Sequence, residues 1–281
     1  MKYALLLRPF QWYKNLLVFL PLVFSGNLAN SSAISTAVLA FLSFCALSSA
    51  TYVINDYADK NKDKLHPEKW NRPIASGEIG TLGALISALL LLAVGFGVAL
   101  LLPINFLYAA LGYFVLSQLY TVWLKHEAFA DILTIAVNFV IRAVAGAFAI
   151  SVWVSPWLVA GVFFLALFLI LGKRRSELML LKNKAHLQRK ALSAYSDDVV
   201  SRLSALATTS LVISYTLYVF FGEHKLLYIT LPIAMYSIFR YESLISSGNI
   251  ISRHPEKVLF DKRMFLSILL WGLMVVSVLY L

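Results

Sequence analysis

The chain has 281 residues, 60% of them hydrophobic and 14% charged, a formal net charge of +10 and a mean hydropathy of +0.78. A water-soluble domain carries roughly a quarter charged residues, so an ordinary soluble enzyme is excluded; 19 Phe, 14 Tyr and 6 Trp exclude a disordered chain. Cys45 is the single cysteine, which rules out a disulfide scaffold and reads as a small packing residue.

Stretches of roughly 17–25 apolar residues cross a hydrocarbon core. Nine are expected here, at 13–29, 33–55, 83–102, 104–124, 129–150, 157–173, 203–222, 225–241 and 263–281. The first is interrupted by Pro21 and opens on Gln11, Trp12, Tyr13 and Lys14, an interfacial start. It lacks a short apolar core with a small-residue cleavage site, which argues against a removable signal peptide. Long charged connections follow at 56–82, 174–202 and 242–262; no internal repeat or low-complexity linker appears, so a single membrane domain over 1–281 is expected.

With an odd number of spans and a cytoplasmic N-terminus, 22 of the 24 Lys and Arg fall on the inner side, leaving Lys225 outside and Arg142 within a span. That bias predicts a plasma-membrane protein with its N-terminus and charged loops in the cytoplasm. The net charge then serves topology and attracts anionic headgroups and phosphorylated substrates. Nucleic acid is an unnecessary partner.

At the inner end of the second span the chain reads Asn55, Asp56, then Asp59 and Asp63. If the helix continues, about 100° per residue brings the three carboxylates within roughly 60° of one another. Hard oxygen donors of this kind suit Mg²⁺, which commonly binds through one or two carboxylates plus substrate phosphates. Spacing alone leaves two readings open, a metal–diphosphate site or a solvated cytoplasmic turn. His66-Pro67-Glu68-Lys69 and Asn71-Arg72-Pro73 place basic groups just beyond, where they suit phosphate oxygens or merely decorate the inner face. On the fifth span Asp131, Asn138 and Arg142 share a face, and an intramembrane arginine marks a functional or tightly paired position. Asp131 and Asn138 are expected to orient Arg142. The sixth span ends Gly172-Lys173-Arg174-Arg175-Ser176-Glu177, with Lys173 and Glu177 one turn apart, and Tyr195 precedes the seventh. The five histidines show no zinc spacing, and there is no glycine-rich phosphate loop.

These features resemble the UbiA-type intramembrane prenyltransferase superfamily, and within it the decaprenyl-phosphate phosphoribosyltransferase branch. The residues carrying the resemblance are Leu7 to Leu17, Asn55 to Gly77, Asn138 to Gly146 and Gly172 to Leu178. The resemblance implies an all-α, polytopic bundle of nine transmembrane helices with a cavity open to the cytoplasm and laterally to the bilayer. It gives Asn55, Asp56, Asp59 and Asp63 the binding of Mg²⁺ and a diphosphate. In this branch the diphosphate belongs to phosphoribosyl diphosphate, and the acceptor is a polyprenyl phosphate. Ordinary prenyltransferases carry a second aspartate-rich motif where this chain reads Lys173-Arg174-Arg175-Ser176-Glu177, a departure that counts against prenyl transfer to an aromatic acceptor. Lys69, Arg72, Arg142, Lys173 and Arg174 are expected phosphate contacts, with Asn138, Glu177 and Tyr195 as further substrate-binding candidates. Prenyl transfer from an isoprenoid diphosphate to an aromatic or quinone-precursor acceptor is the runner-up, and a transporter is the weaker alternative, since a many-span bundle with an intramembrane arginine also fits one.

Overall fold

The structure is a computed structural model that describes residues 2–65, 68–181, 195–222 and 224–280. His66 and Pro67 of the first charged loop, and Lys182, Lys184, Arg189 and Lys190 of the second, lie outside the described residues. All regular structure among the described residues is helical. The long helices are α1 (Ser31–Ala58), α2 (Thr81–Ala99), α3 (Ile104–Val122), α4 (Ala130–Ala149), α5 (Pro156–Leu181), α6 (Asp197–Phe221), α7 (Leu231–Ser246) and α8 (Lys262–Tyr280).

Six of these are long and apolar enough to cross a membrane: α1, α2, α4, Pro156–Met179 of α5, α6 and α8. The other three expected spans differ for identifiable reasons. The stretch 13–29 is a 3₁₀ helix, Pro9–Phe19, that passes into a short α-helix, Leu20–Phe24, with Pro21 in its first turn. α3 carries Asn105, Gln118 and three tyrosines, which dilute its apolarity. The stretch 225–241 is a 3₁₀ turn, Lys225–Thr230, followed by the 16-residue α7, which runs on through Arg240 and Glu242. Charge ends the apolar part of a span without ending its helix. α5 accordingly continues through Lys173-Arg174-Arg175 to Leu181, well into the stretch expected as a loop.

The chain divides into two compact units, residues 1–125 with 141–153, and 126–140 with 154–281. In the first, α1 is the central helix: 67% of its apolar window is buried, against 22% for α2. Its N-terminus is capped by Asn30, whose side chain accepts from the N–H groups of Ser32 and Ala33 at 3.1 and 3.2 Å. Phe44 of α1 packs edge-on to Phe106 of α3, centroids 5.7 Å apart, in a core with Leu47, Ala99, Ala110 and Ala145. Ser43 of α1 donates to the Gly95 carbonyl of α2 at 2.8 Å, which lets the two backbones approach closely. Gly146 of α4 lies directly against the Val18 carbonyl, where a Cβ would collide with backbone.

In the second unit Phe168 of α5 stacks edge-on to Tyr241 of α7, centroids 5.3 Å apart, within a core that includes Leu211, Ile245 and Met264. Gly172 admits the side chain of Ile245 against α5. Hydrogen bonds between hydroxyls join the elements, Ser176 with Ser252 at 2.6 Å and Ser237 to Ser267 at 3.0 Å. Arg240 donates to Asp261 at 2.6 Å just ahead of α8.

Candidate active site

The acidic run begins inside α1 and ends outside it. α1 stops at Ala58; Asp59 takes φ −95°, ψ 5° as its cap, and a separate turn of helix, Lys60–Lys64, follows. This break divides the three carboxylates that a continuous helix would have placed on one face. Asp56 and Asp63 share one cation, since Arg72 Nη1 lies 2.9 Å from Asp56 Oδ1 and 2.6 Å from Asp63 Oδ2. Asp59 faces another, with Lys125 Nζ at 2.7 and 2.8 Å from its two oxygens and 3.5 Å from Asn55 Oδ1.

A third cation comes from the N-terminal segment. Arg8 Nη2 contacts both oxygens of Asp56, at 2.5 and 2.6 Å, with its guanidinium 5.1 Å from the centre of the Tyr52 ring. Asp56, Asp63 and Lys125 are each about 95% buried or more, at 3%, 4% and 5% exposure. Burial at that level demands pairing, because an isolated charge out of water is costly. The loop that delivers Arg72 is fixed by its own backbone, Ser76 N–H to the Arg72 carbonyl at 2.8 Å and Ile79 N–H to the Pro73 carbonyl at 2.9 Å, with Gly77 at φ +84°. Ile74 and Ile79 anchor it in a core shared with Leu6 and Val53.

Arg142 sits in the same unit, 4% exposed, in a network of neutral groups. Its Nε donates to Asn15 Oδ1 at 2.9 Å and its Nη2 to the Tyr113 hydroxyl at 3.0 Å, while Asn15 Nδ2 donates to Ser48 Oγ at 3.1 Å. The expectation that Asp131 orients Arg142 is corrected here. Eleven residues of α-helix separate two side chains by about 16 Å along the axis, so a shared face is not a contact.

Asp131 belongs to a cluster in the second unit. Fully buried, it accepts from Arg174 Nη2 at 2.9 Å and from the Tyr195 hydroxyl at 2.5 Å. Arg174 Nη1 reaches Glu177 at 2.7 Å, an i,i+3 pair along α5. The Tyr195 hydroxyl also accepts from the Phe129 N–H at 2.8 Å, closing a turn in which Phe129 has φ +64°. Burial, and then the Asp131 carboxylate, push the Tyr195 phenol well above its ordinary range. Of the remaining candidates, Asn138 is 9% exposed on α4, Lys69 is half-buried, and Lys173 is exposed on α5.

The structure thus brings Asn55, Asp56, Asp59, Asp63 and Arg72 together in the first unit, and Arg174, Glu177 and Tyr195 together in the second. Arg8 and Lys125 were absent from the expected site. Arg8 lies in the Leu7 to Leu17 stretch that carries the resemblance, which gives it no role, and Lys125 shows only as a lone lysine between two apolar stretches. The donors at the end of α1 suit Mg²⁺ in type, being carboxylate oxygens and an amide oxygen. Among the described residues no three acidic, His or Cys side chains form a cage for a metal, so these donors suit an ion whose shell substrate phosphates complete.

A family model described as the UbiA prenyltransferase family matches residues 17–278. A decaprenyl-phosphate phosphoribosyltransferase of Mycolicibacterium smegmatis is 35% identical over 217 residues, 76% of this chain and 68% of that protein. One from Corynebacterium glutamicum is 31% identical over 286 residues, 98% of this chain and 86% of that one. Among solved structures, a UbiA homolog from Archaeoglobus fulgidus bound to GPP and Mg²⁺ matches with a TM-score of 0.78 and 23% identity, covering 99% of this chain and 100% of that one.

Proposed function

The chain belongs to the UbiA prenyltransferase family, and on that premise we propose that it transfers a 5-phosphoribosyl group from phosphoribosyl diphosphate to a polyprenyl phosphate, releasing pyrophosphate. The observation that carries the reading is the interleaving of Asp56, Asp59 and Asp63 with Arg8, Arg72 and Lys125 at 2.5–2.9 Å. The names of the two bacterial relatives support the choice of substrates. So does the basic Lys173-Arg174-Arg175 stretch, which offers no second aspartate-rich motif for an isoprenyl diphosphate.

In this reaction an oxygen of the lipid phosphate attacks the anomeric carbon of the ribose, and the bond to pyrophosphate breaks with its electron pair leaving on the pyrophosphate. A phosphate monoester is already anionic at neutral pH, so the protein needs no strong base. Asp56, Asp59 and Asp63, with Asn55 beside them, would supply oxygen ligands to a Mg²⁺ ion whose shell the substrate phosphates complete, and that ion would neutralise charge on the departing group. Arg8, Arg72 and Lys125 bind the diphosphate oxygens, Arg as a planar fork and Lys as a point charge. Their work is positioning and stabilisation of developing charge, in a site from which burial excludes most water. Arg142 and Asn138 on α4, Lys69 in the first loop, and Lys173, Arg174, Glu177 and Tyr195 of the second unit are assigned to substrate phosphates or to the groups that hold them. We place the reaction at the cytoplasmic face of the plasma membrane, on the Lys/Arg bias of the loops.

The test uses purified protein in detergent with radiolabelled phosphoribosyl diphosphate, a polyprenyl phosphate and Mg²⁺, following label into the organic phase. Transfer abolished by EDTA is the expected result. Transfer instead from a prenyl diphosphate to an aromatic acid overturns the assignment, and inactivity with both substrate pairs returns the chain to the transporter alternative.

A further inference from the structure

Arg8 reaches Asp56 from a backbone conformation that a residue with a side chain rarely adopts. It has φ 51° and ψ 56°, the left-handed region, and stands immediately ahead of Pro9 and the 3₁₀ helix. It joins two helical turns through its backbone, its N–H reaching the Leu5 carbonyl at the end of the short helix Lys2–Leu6 at 3.3 Å and its carbonyl accepting from the Gln11 N–H at 2.8 Å. Such a residue persists only where its surroundings hold it.

The tertiary restraint on this turn comes from α1. Ser49, fully buried one turn before Val53, donates its hydroxyl to the Leu7 carbonyl at 2.7 Å, the peptide group that leads into Arg8. The same oxygen accepts from Trp12 Nε1 at 3.1 Å, so the segment is tied to α1 on both sides of the left-handed residue. Tyr52, three residues further along α1, lies under the guanidinium, 5.1 Å from ring centre to Cζ. A hydroxyl is the small group that donates to a carbonyl and accepts from an indole N–H at once.

We infer that Ser49 is a positioning residue for the diphosphate-binding cation. Its paired hydrogen bonds to Leu7 and Trp12 fix the turn from which Arg8 reaches into the acidic cluster. This rests on the phosphoribosyl reading, in which Arg8 holds the donor's diphosphate. Ser49 itself touches no substrate. Its contribution is the conformational restriction of Arg8 before the donor arrives, a cost that binding must otherwise meet.

The experiment compares wild type, Ser49→Ala, Ser49→Thr and Trp12→Phe in detergent, measuring KM for each substrate, kcat, melting temperature and calorimetric binding of Mg²⁺–phosphoribosyl diphosphate. Ser49→Ala is expected to raise donor KM and Kd about tenfold, equivalent to about 1.4 kcal/mol, while KM for the polyprenyl phosphate stays within about twofold. Ser49→Thr, which keeps the hydroxyl, restores donor affinity, and Trp12→Phe shifts it in the direction of Ser49→Ala by less. A purely structural Ser49 lowers the melting temperature and the active fraction while donor KM stays at the wild-type value, and that result overturns the inference alone. If Ser49→Ala does not fold, an unchanged donor KM in Trp12→Phe overturns it equally. Wild type that fails to bind the donor overturns the inference together with the reading beneath it.

Discussion

Replacing Arg72 with Gln tests whether the acidic cluster is held together by its cations. Arg72 Nη1 is shared between Asp56 and Asp63, whose side chains are 4% and 6% exposed, while its own is 22% exposed. Removing one partner of a fully buried pair costs about 3–5 kcal/mol, because the other charge is left unpaired. Two features reduce that here. Asp56 keeps Arg8, so only Asp63 is orphaned, and the partial exposure of Arg72 lets water relieve some of the penalty. The expected loss is therefore about 2 kcal/mol, which for a chain of 281 residues, at about 2.1 cal/mol/K of unfolding entropy per residue, is a fall of about 3–4 °C in melting temperature. The assay is thermal unfolding in detergent followed by tryptophan fluorescence. The decisive comparison is the double variant Arg72→Gln with Asp63→Asn, in which no unpaired charge remains. It should recover more than half of the loss, giving a coupling of about 1–2 kcal/mol between the two positions. Strict additivity, with coupling below about 0.5 kcal/mol, would mean that Asp63 is stabilised by something other than Arg72 and would refute the argument.

Asp59→Asn should abolish transfer per folded molecule; because it also leaves the buried Lys125 ammonium without its carboxylate, a lower melting temperature accompanies it, and turnover is normalised to folded protein; retained turnover would sink the metal assignment. Gly146→Ala should destabilise the first unit by about 1–3 kcal/mol, read as a lower melting temperature, because the new methyl meets the Val18 carbonyl rather than a movable side chain. For Tyr195 the phenol pKa is raised in the fold, so its contribution is complete below the unfolded value near 10 and is lost as pH climbs above it. Tyr195→Phe should flatten that alkaline limb of a stability–pH curve, and an unchanged limb would count against the Asp131 contact. Asp261 runs the opposite way: hydrogen bonding from Arg240 lowers its pKa, so stability present above about pH 4 is lost as pH falls through the folded value, and Asp261→Asn should remove that acid sensitivity.

What the sequence revealed of this site was what lies close together along the chain. Asn55, Asp56, Asp59 and Asp63 lie within nine consecutive positions, so their chemistry could be read from spacing and helical period. Their cations are distant, with 48 residues between Arg8 and Asp56 and 66 between Lys125 and Asp59. A Lys or Arg near a membrane surface has the same local signature whether it serves topology or a carboxylate, and only tertiary packing separates the two. Arg142 shows the converse. Its intramembrane position marked it out, but its partners Asn15 and Tyr113 stand 127 and 29 residues away on other elements. The helical wheel proposed Asp131 because a wheel discards axial distance. Apolar run length found the long helices and misjudged their ends, since α1 ends at its cap, Asp59, whereas α5 carries its helix through three consecutive basic residues.

The electrostatic arrangement at the end of α1 also bears on how such a site receives a charged donor. Three carboxylates and three basic groups meet there, and each member faces a group of opposite charge. A cluster of carboxylates alone would repel a diphosphate, and a cluster of cations alone would repel a metal ion. Under the proposed function, the interleaved set would bind both halves of a metal–diphosphate complex by exchanging partners, carboxylates to the metal and guanidinium and ammonium groups to phosphate oxygens. That exchange would keep opposite charges adjacent throughout, which matters most for Asp56, Asp63 and Lys125 at 3–5% exposure, where a transiently unpaired charge is costly. Under the proposed function, metal and donor should therefore bind with positive cooperativity, each tightening the other by the same factor. Calorimetry with Mg²⁺ alone, phosphoribosyl diphosphate alone and the two together measures that factor. Independent binding would mean that the ion pairs at the end of α1 persist when the donor is bound, and the cations would then have to be assigned to structure instead of catalysis.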